Sequence, residues 1–194
     1  MKIEKFWQTK KWRTDKIPEK DLIDSLLKKT FEIVPSKQSL VPYKIIVLGP
    51  DSKLKKEMKQ ASKTFFQPAY ELDSPYVIVF TERKITKVNP SVQRRIWKKH
   101  PYDKILNTGG GLKEKSLEVG MFATILTELC LENELSIGYT LCFPDEIGEK
   151  LNPVYDLMIT DPFLIMSIGY SYQKRSLKAK DEYKPDIDEV ICYE

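Results

Sequence analysis

Few residues in this chain have the types and spacing that acid–base or nucleophilic chemistry requires. There is one histidine, His100, and three cysteines, Cys130, Cys142 and Cys192, lie far apart. A zinc site needs several such ligands close together, and a catalytic triad needs an imidazole beside its nucleophile, so neither chemistry is expected. The cysteines read as reduced, packed residues, which favours a cytoplasmic location. The run Asn107-Thr108-Gly109-Gly110-Gly111 is glycine-rich, yet it lacks the lysine-serine or lysine-threonine ending of a P-loop. It does not complete GxGxxG either, and it reads as a hinge before a helix. What remains is positive charge. The formal net charge is +4, with six basic against two acidic residues in 1–16 and eight against two in 82–104. The second group includes Arg94, Arg95, Lys98 and Lys99, and both groups can attract a small anion. No zinc finger, RNA-binding aromatic motif or dense basic tail accompanies them, so nucleic acid is not an expected partner.

The elements that would position such groups follow from periodicity. With 194 residues, 41% of them hydrophobic and 31% charged, the chain can bury one core, and a single domain over 1–194 is expected. Residues 171–194 are highly charged until a short alternating run at 187–193, and read as a carboxy-terminal arm with an edge strand. No uncharged apolar run is long enough to span a bilayer, and MKIEKFWQTKKW has no apolar core of a secretory signal. A first helix is expected after Pro18, with Leu22, Ile23, Leu26, Leu27 and Phe31 on its apolar face and its end before Pro35. A second should follow the turn Gly49-Pro50-Asp51-Ser52 and run from Leu54 to Phe65. Strands are expected at Tyr43–Leu48, Pro75–Thr81, Ile137–Phe143 and Pro162–Tyr170, the second of them buried on both faces. Shorter helical pieces are expected at 90–97 and after Pro144.

The chain is organised around the stretch Ser116–Leu131. Glu114, Lys115, Glu118, Glu128 and Glu132 fall on one side of that helix and wet its two ends, while its middle turns are apolar all round. Ser116, Gly120, Ala123 and Thr127 form a side of small residues. This is either an ordinary core helix or one that packs both on its own sheet and on a second subunit.

The order of these pieces, with several local motifs, resembles the nitroreductase-like flavoprotein family. The best motif is Pro35-Ser36-Lys37-Gln38-Ser39-Leu40-Val41-Pro42-Tyr43. The family pattern is proline-serine, two variable residues, asparagine, one residue, then glutamine-proline-tryptophan before a strand. Pro35, Ser36 and Pro42 match and Tyr43 keeps an aromatic, while Ser39 and Val41 replace the two amides. The amino-terminal arginine-rich motif of the family is matched only by Lys10 and Trp12, with Lys11 and Arg13 either supplementing the charge or simply solvated. Glu118-Val119-Gly120-Met121-Phe122-Ala123 is similar to the family's aspartate-x-glycine-x-x-alanine helix start. Leu135 stands where the family has glycine-leucine-glycine, its flanks replaced by Glu134 and Ser136. Thr140-Leu141-Cys142-Phe143-Pro144 corresponds to the segment that approaches the flavin near N5. Ile168-Gly169-Tyr170 resembles the end of the last core strand, and Pro185, Glu189 and Val190 resemble the tail element.

The resemblance implies an α+β fold with a central mixed, mostly antiparallel sheet flanked by helices in an intertwined homodimer. It implies FMN as cofactor, held by Lys10, Lys11, Trp12, Pro35, Ser36, Ser39, Cys142, Phe143, Lys180 and Lys184. It further implies NAD(P)H-dependent reduction of nitroaromatic, quinone or similar electrophilic acceptors by a ping-pong mechanism. Flavin performs the redox chemistry, so no catalytic side chain and no metal are required. The replaced amides and missing arginines leave a second expectation open, a non-catalytic dimeric binding protein on the same scaffold.

Overall fold

The computed structural model describes residues 9, 11–36, 40–62, 70–83, 112–141, 151 and 164–172. Within them lie helix α1 (Lys20–Ile33), strand β1 (Tyr43–Leu48), helix α2 (Lys53–Ser62), a 3₁₀ turn (Tyr70–Asp73) and strand β2 (Tyr76–Glu82). Helix α3 (Leu112–Glu132) and strands β3 (Ser136–Thr140) and β4 (Leu164–Gly169) complete them. The strands form one sheet in the order β1-β2-β4-β3, and its three pairings are antiparallel. The four described strands fall where periodicity places them, with ends differing by at most a few residues. The short helices expected at 90–97 and after Pro144, and the edge strand at 187–193, lie outside the described residues.

Strand β2 explains the layering. Every residue from Tyr76 to Thr81 is buried, so both faces of its pleat need cover. Tyr76, Ile78 and Phe80 face a core with Ile23 and Leu26 of α1 and Val119, Phe122, Ala123, Leu126 and Cys130 of α3. Val77 and Val79 face the opposite core with Ile46, Leu48, Met58, Leu72, Leu151 and Ile165. In the first core Phe122 meets Tyr43 and Phe80 edge to face, with centroids 5.9 and 5.6 Å apart, and Tyr43 and Phe80 are tilted to each other at 6.4 Å.

Helix α1 buries a narrower face than its pattern suggests. Phe31 is 54% exposed, while Thr30 is fully buried and its Oγ1 donates to the Leu26 carbonyl at 2.7 Å. Phe31 continues the half-buried Leu27 row, whereas Thr30 continues the Ile23–Leu26 row that points at the sheet. Val34 leaves the helix with ψ 121, as a pre-proline residue must. At the start of α2, Ser52 Oγ accepts from Lys55 N at 3.2 Å, the expected cap.

Trp12 is buried on the second face of the sheet. A Cβ on Gly138 would stand 3.4 Å from the indole, and one on Gly169 would stand 3.1 Å from it. Nearer still, a Cβ on Gly138 would meet Ser167 Oγ at 2.6 Å and Thr9 O at 3.1 Å, and one on Gly169 would meet Pro75 at 2.6 Å, so both glycines lie where the strands, Pro75, Thr9 and Trp12 crowd together. The Trp12 Nε1 donates to Tyr70 O at 3.1 Å. Lys55 holds the neighbouring turn, its Nζ donating to the carbonyls of Ser74 (2.9 Å) and Pro75 (2.8 Å).

Helix α3 ends at a residue of the wrong type for its conformation. Glu134 has φ 59, and Leu135 N bonds Cys130 O at 2.9 Å to close the cap. The left-handed state costs a side-chain-bearing residue about 1–2 kcal/mol. Glu134→Gly is expected to raise stability by about 1 kcal/mol in urea unfolding. Burial lowers the Lys55 pKa to about 8 from 10.5. The unfolded chain thus binds more protons between those values, and Lys55 makes stability rise with pH across about 8 to 10.5. Lys55→Met should flatten that rise relative to the parent when unfolding is followed against pH.

Candidate functional site

The antiparallel registers define two ends of the sheet. At one end lie Tyr43, Glu82, Thr140 and Leu164; at the other lie Leu48, Tyr76, Ser136 and Gly169. The strands span about 20 Å between these ends. Residues 40–42 enter β1 at the first end, where an unusual set of bonds joins them to Ser36 and Arg83. Val41 is a β-branched residue with φ 44, in the left-handed region. Its N–H donates to Ser36 Oγ at 2.8 Å, a bond that uses an oxygen lone pair and not the Ser36 hydroxyl proton. Arg83, the residue just after β2, serves three consecutive carbonyls. Its Nη2 bonds Leu40 O, its Nε bonds Val41 O at 2.6 Å, and its backbone N–H bonds Pro42 O at 3.1 Å. Arg83 was not among the residues singled out from sequence, because a single arginine after a strand carries no local pattern.

A polar cluster backs this loop. Tyr43 stands opposite Glu82 in the sheet, and Glu82 pairs with Lys115 from the first turns of α3. Lys115 and Glu118 are both buried, so the ends of α3 are not uniformly wetted as expected. They lie three apart on the helix, on the side that faces β1 and β2, and the sheet rather than water receives them. Burial pulls the Lys115 ammonium below its ordinary value, and burial with the nearby Glu118 charge pushes the Tyr43 phenol up to about 12. Cys130, also buried, is pushed up to about 12 and is a packed thiol with no nucleophilic character at neutral pH.

The small side of α3 divides in two. Ala123 and Thr127 are buried toward the sheet, with Thr127 Oγ1 bonding both Ala123 O and the Tyr139 hydroxyl. Ser116, Gly120 and Thr124 are exposed, and a Cβ on Gly120 would meet nothing within 4 Å. Leu117 (62% exposed) and Leu131 (46% exposed) flank them on that face. The expectation that Gly120 and Ala123 share one face is corrected by this geometry.

The amino-terminal candidates lie elsewhere. Trp12 bridges Ser171, Arg13 N bonds Tyr170 O at 2.8 Å, and Ser171 Oγ bonds Lys11 O at 3.3 Å. This is the second end of the sheet, away from Ser36. Lys11 is exposed, whereas the Trp12 ring is committed to packing. Pro35 is exposed and Ser36 half-buried beside the loop. Lys10, Ser39, Cys142, Phe143, Lys180 and Lys184 lie outside the described residues, as do His100, Arg94, Arg95, Lys98, Lys99 and the glycine run. Within one described chain, Lys11 and Ser36 are not brought together. Among the described residues no three of His, Cys, Asp or Glu gather as metal ligands, and no helix is long and apolar enough to cross a membrane.

Solved structures place this architecture. The chain superposes on a protein from Staphylococcus epidermidis assigned as an NAD(P)H:FMN oxidoreductase, with TM-score 0.74, 16% identity, and 97% of this chain and 92% of that one covered. A nitroreductase-like protein from Streptococcus mutans gives TM-score 0.71 at 14% identity over 97% and 94%. A protein from Exiguobacterium sibiricum assigned as a nitroreductase, solved in complex with FMN, gives 0.70 at 12% over 97% and 93%. The fold is nitroreductase-like. No protein-family model matches the sequence, and no curated protein matches it. At such identities the likeness establishes the α+β architecture, with its antiparallel sheet between helices, over nearly the whole chain.

The buried pair gives a direct test of the wall behind the loop. Removing one partner of a buried ion pair leaves the other charge uncompensated and costs about 3–5 kcal/mol. Glu82→Gln is expected to destabilise by about that amount in urea unfolding, and Glu82→Leu with Lys115→Met to recover most of it. A loss below about 1 kcal/mol for Glu82→Gln would place the pair in water.

Proposed function

We propose that the protein is an FMN-dependent oxidoreductase that reduces nitroaromatic, quinone or similar electrophilic acceptors with NAD(P)H by a ping-pong mechanism. The observation that carries this reading is the nitroreductase-like fold, with Ser36 and Arg83 bonded to residues 40–42 at one end of its sheet. The donor set fits such a group in part. Ser36 offers a hydroxyl proton at the loop, and Lys11 offers an exposed ammonium at the other end. Bound FMN would supply the hydride chemistry between NAD(P)H and the acceptor. In this reading Ser36, Ser39, Cys142 and Phe143 would hold and orient the ring, and Lys10 with Lys180 or Lys184 would hold the phosphate.

Ser36 and Lys11 sit at opposite ends of one sheet, so one ligand that touches both segments needs two chains. The exposed Leu117–Gly120–Thr124–Leu131 face of α3 supplies a surface on which a second copy can pack. A homodimer with the site between copies accounts for both observations. Trp12 packs inside the protein in this reading and anchors the chain beside Lys11, so its role is structural.

Anaerobic mixing with NADPH or NADH tests the activity: the flavin-loaded protein should lose its yellow absorbance and recover it on adding an acceptor. Persistence of colour with both donors would sink the enzyme reading. Lys10→Ala should weaken FMN binding by about one to two decades in a fluorescence titration, and deletion of 178–194 by more. Unchanged affinity in both would place the phosphate elsewhere. A second reading, a non-catalytic dimeric binding protein, is favoured by Val41, whose side chain packs against the core where an amide would make polar contacts. Denaturing the purified protein separates the two, since stoichiometric release of FMN excludes a cofactor-free binder.

A further inference from the structure

We infer that Arg83 is the positioning residue of the ligand-contacting loop, holding residues 40–42 in a strained conformation before any ligand arrives. The inference rests on the flavin reading for the identity of the ligand, but its geometry stands alone. Three successive carbonyls, those of Leu40, Val41 and Pro42, turn toward one residue. Two of them accept from the planar guanidinium, whose fork fixes the angle between the two donors as a lysine ammonium would not. The third accepts from the Arg83 backbone, which extends the β1–β2 ladder by one step beyond Tyr43 and Glu82.

The cost of this arrangement falls on Val41. A β-branched residue at φ 44 is disfavoured against extended backbone, and a free loop would relax out of it. Pro42 follows and has no N–H to stabilise an alternative turn. What holds Val41 in place is the guanidinium on its carbonyl and Ser36 Oγ on its N–H, one on each side of the residue. If either grip is lost, the loop gains conformations and Ser36 no longer faces one direction. A ligand that must find Ser36 in one orientation then binds more weakly, because ordering the loop is charged to the binding step. Arg83 reaches no ligand in this scheme and acts only through the loop.

The test uses full-length protein and two independent readouts. The first is amide hydrogen exchange without FMN, comparing Val41 with Ile78 and Val79 in the buried strand. The second is FMN affinity by fluorescence titration. Arg83→Met should speed exchange at Val41 by about tenfold or more while Ile78 and Val79 keep their rates, and should weaken FMN by about one to two decades. Arg83→Lys, which keeps the charge but loses the fork, should fall between Arg83→Met and the parent. Adding Val41→Gly to Arg83→Met should restore much of the affinity, since glycine adopts the left-handed state without strain. Such rescue would not follow if Arg83 only supported the fold. An unchanged Val41 rate in Arg83→Met overturns the inference, and so does equal acceleration at Ile78 and Val79. A parent that binds no FMN overturns the flavin reading instead, while the exchange comparison still decides the clamp.

Discussion

The double burial of β2 is the constraint on which the rest of the structure depends. A strand with six successive buried residues cannot lie at a solvated face, so helices must cover the sheet on both sides. Helices α1 and α3 cover one side through Ile23, Leu26, Phe122 and Leu126. The other side has fewer large residues of its own, and α2, the 70–73 turn and the Trp12 indole complete it. The two glycines under Trp12 show the same logic locally. Side chains there would strike Ser167 and Pro75 and crowd Thr9 and Trp12, and the bonds of Thr9, Trp12 and Arg13 tie that part of the chain to β3 and to the residues after β4.

This layering also separates the chemistry. Ser36, residues 40–42 and the Glu82–Lys115 pair occupy one end of the sheet, and the Lys11–Arg13 segment occupies the other. In the proposed reading, one chain would offer a border for a planar ligand and, far from it, a cationic segment for an anion. In the proposed dimer, two copies related by symmetry would place both at one site, where a protein with so little acid–base chemistry would host a redox cofactor. The polar side chains near the loop serve structure. Lys115 neutralises Glu82 in a dry pocket, Tyr43 keeps its proton there, and Arg83 spends its donors on backbone carbonyls.

Much of the architecture was legible in the sequence because it rests on periodicity. The run PYVIVF announced β2, the proline before α1 and the pre-proline Val34 bounded that helix, and Ser52 marked the start of α2. Misreadings arose where two faces were equally plausible by pattern. Phe31 and Thr30 are neighbours, and only the tilt of α1 on the sheet decides which is buried. Lys115 and Glu118 read as solvated because charge usually is, and their burial depends on Glu82 arriving from a strand 33 residues earlier. Arg83 and the left-handed Val41 were invisible for the same reason: the clamp exists only once β1 and β2 pair. Trp12, which the resemblance implies at the flavin, is a buried residue of the described chain, its indole bonded to Tyr70 O.

The central claim is that the Ser36–Pro42 loop of one copy and the amino-terminal cations of another border a single flavin site. A crystal structure of the protein grown with saturating FMN tests it most directly. The account predicts the isoalloxazine against residues 36–42 and the phosphate within hydrogen-bond reach of Lys10 or Lys11 from a second copy. A flavin that contacts neither segment, or a single chain that binds FMN with its loop facing solvent, would contradict it.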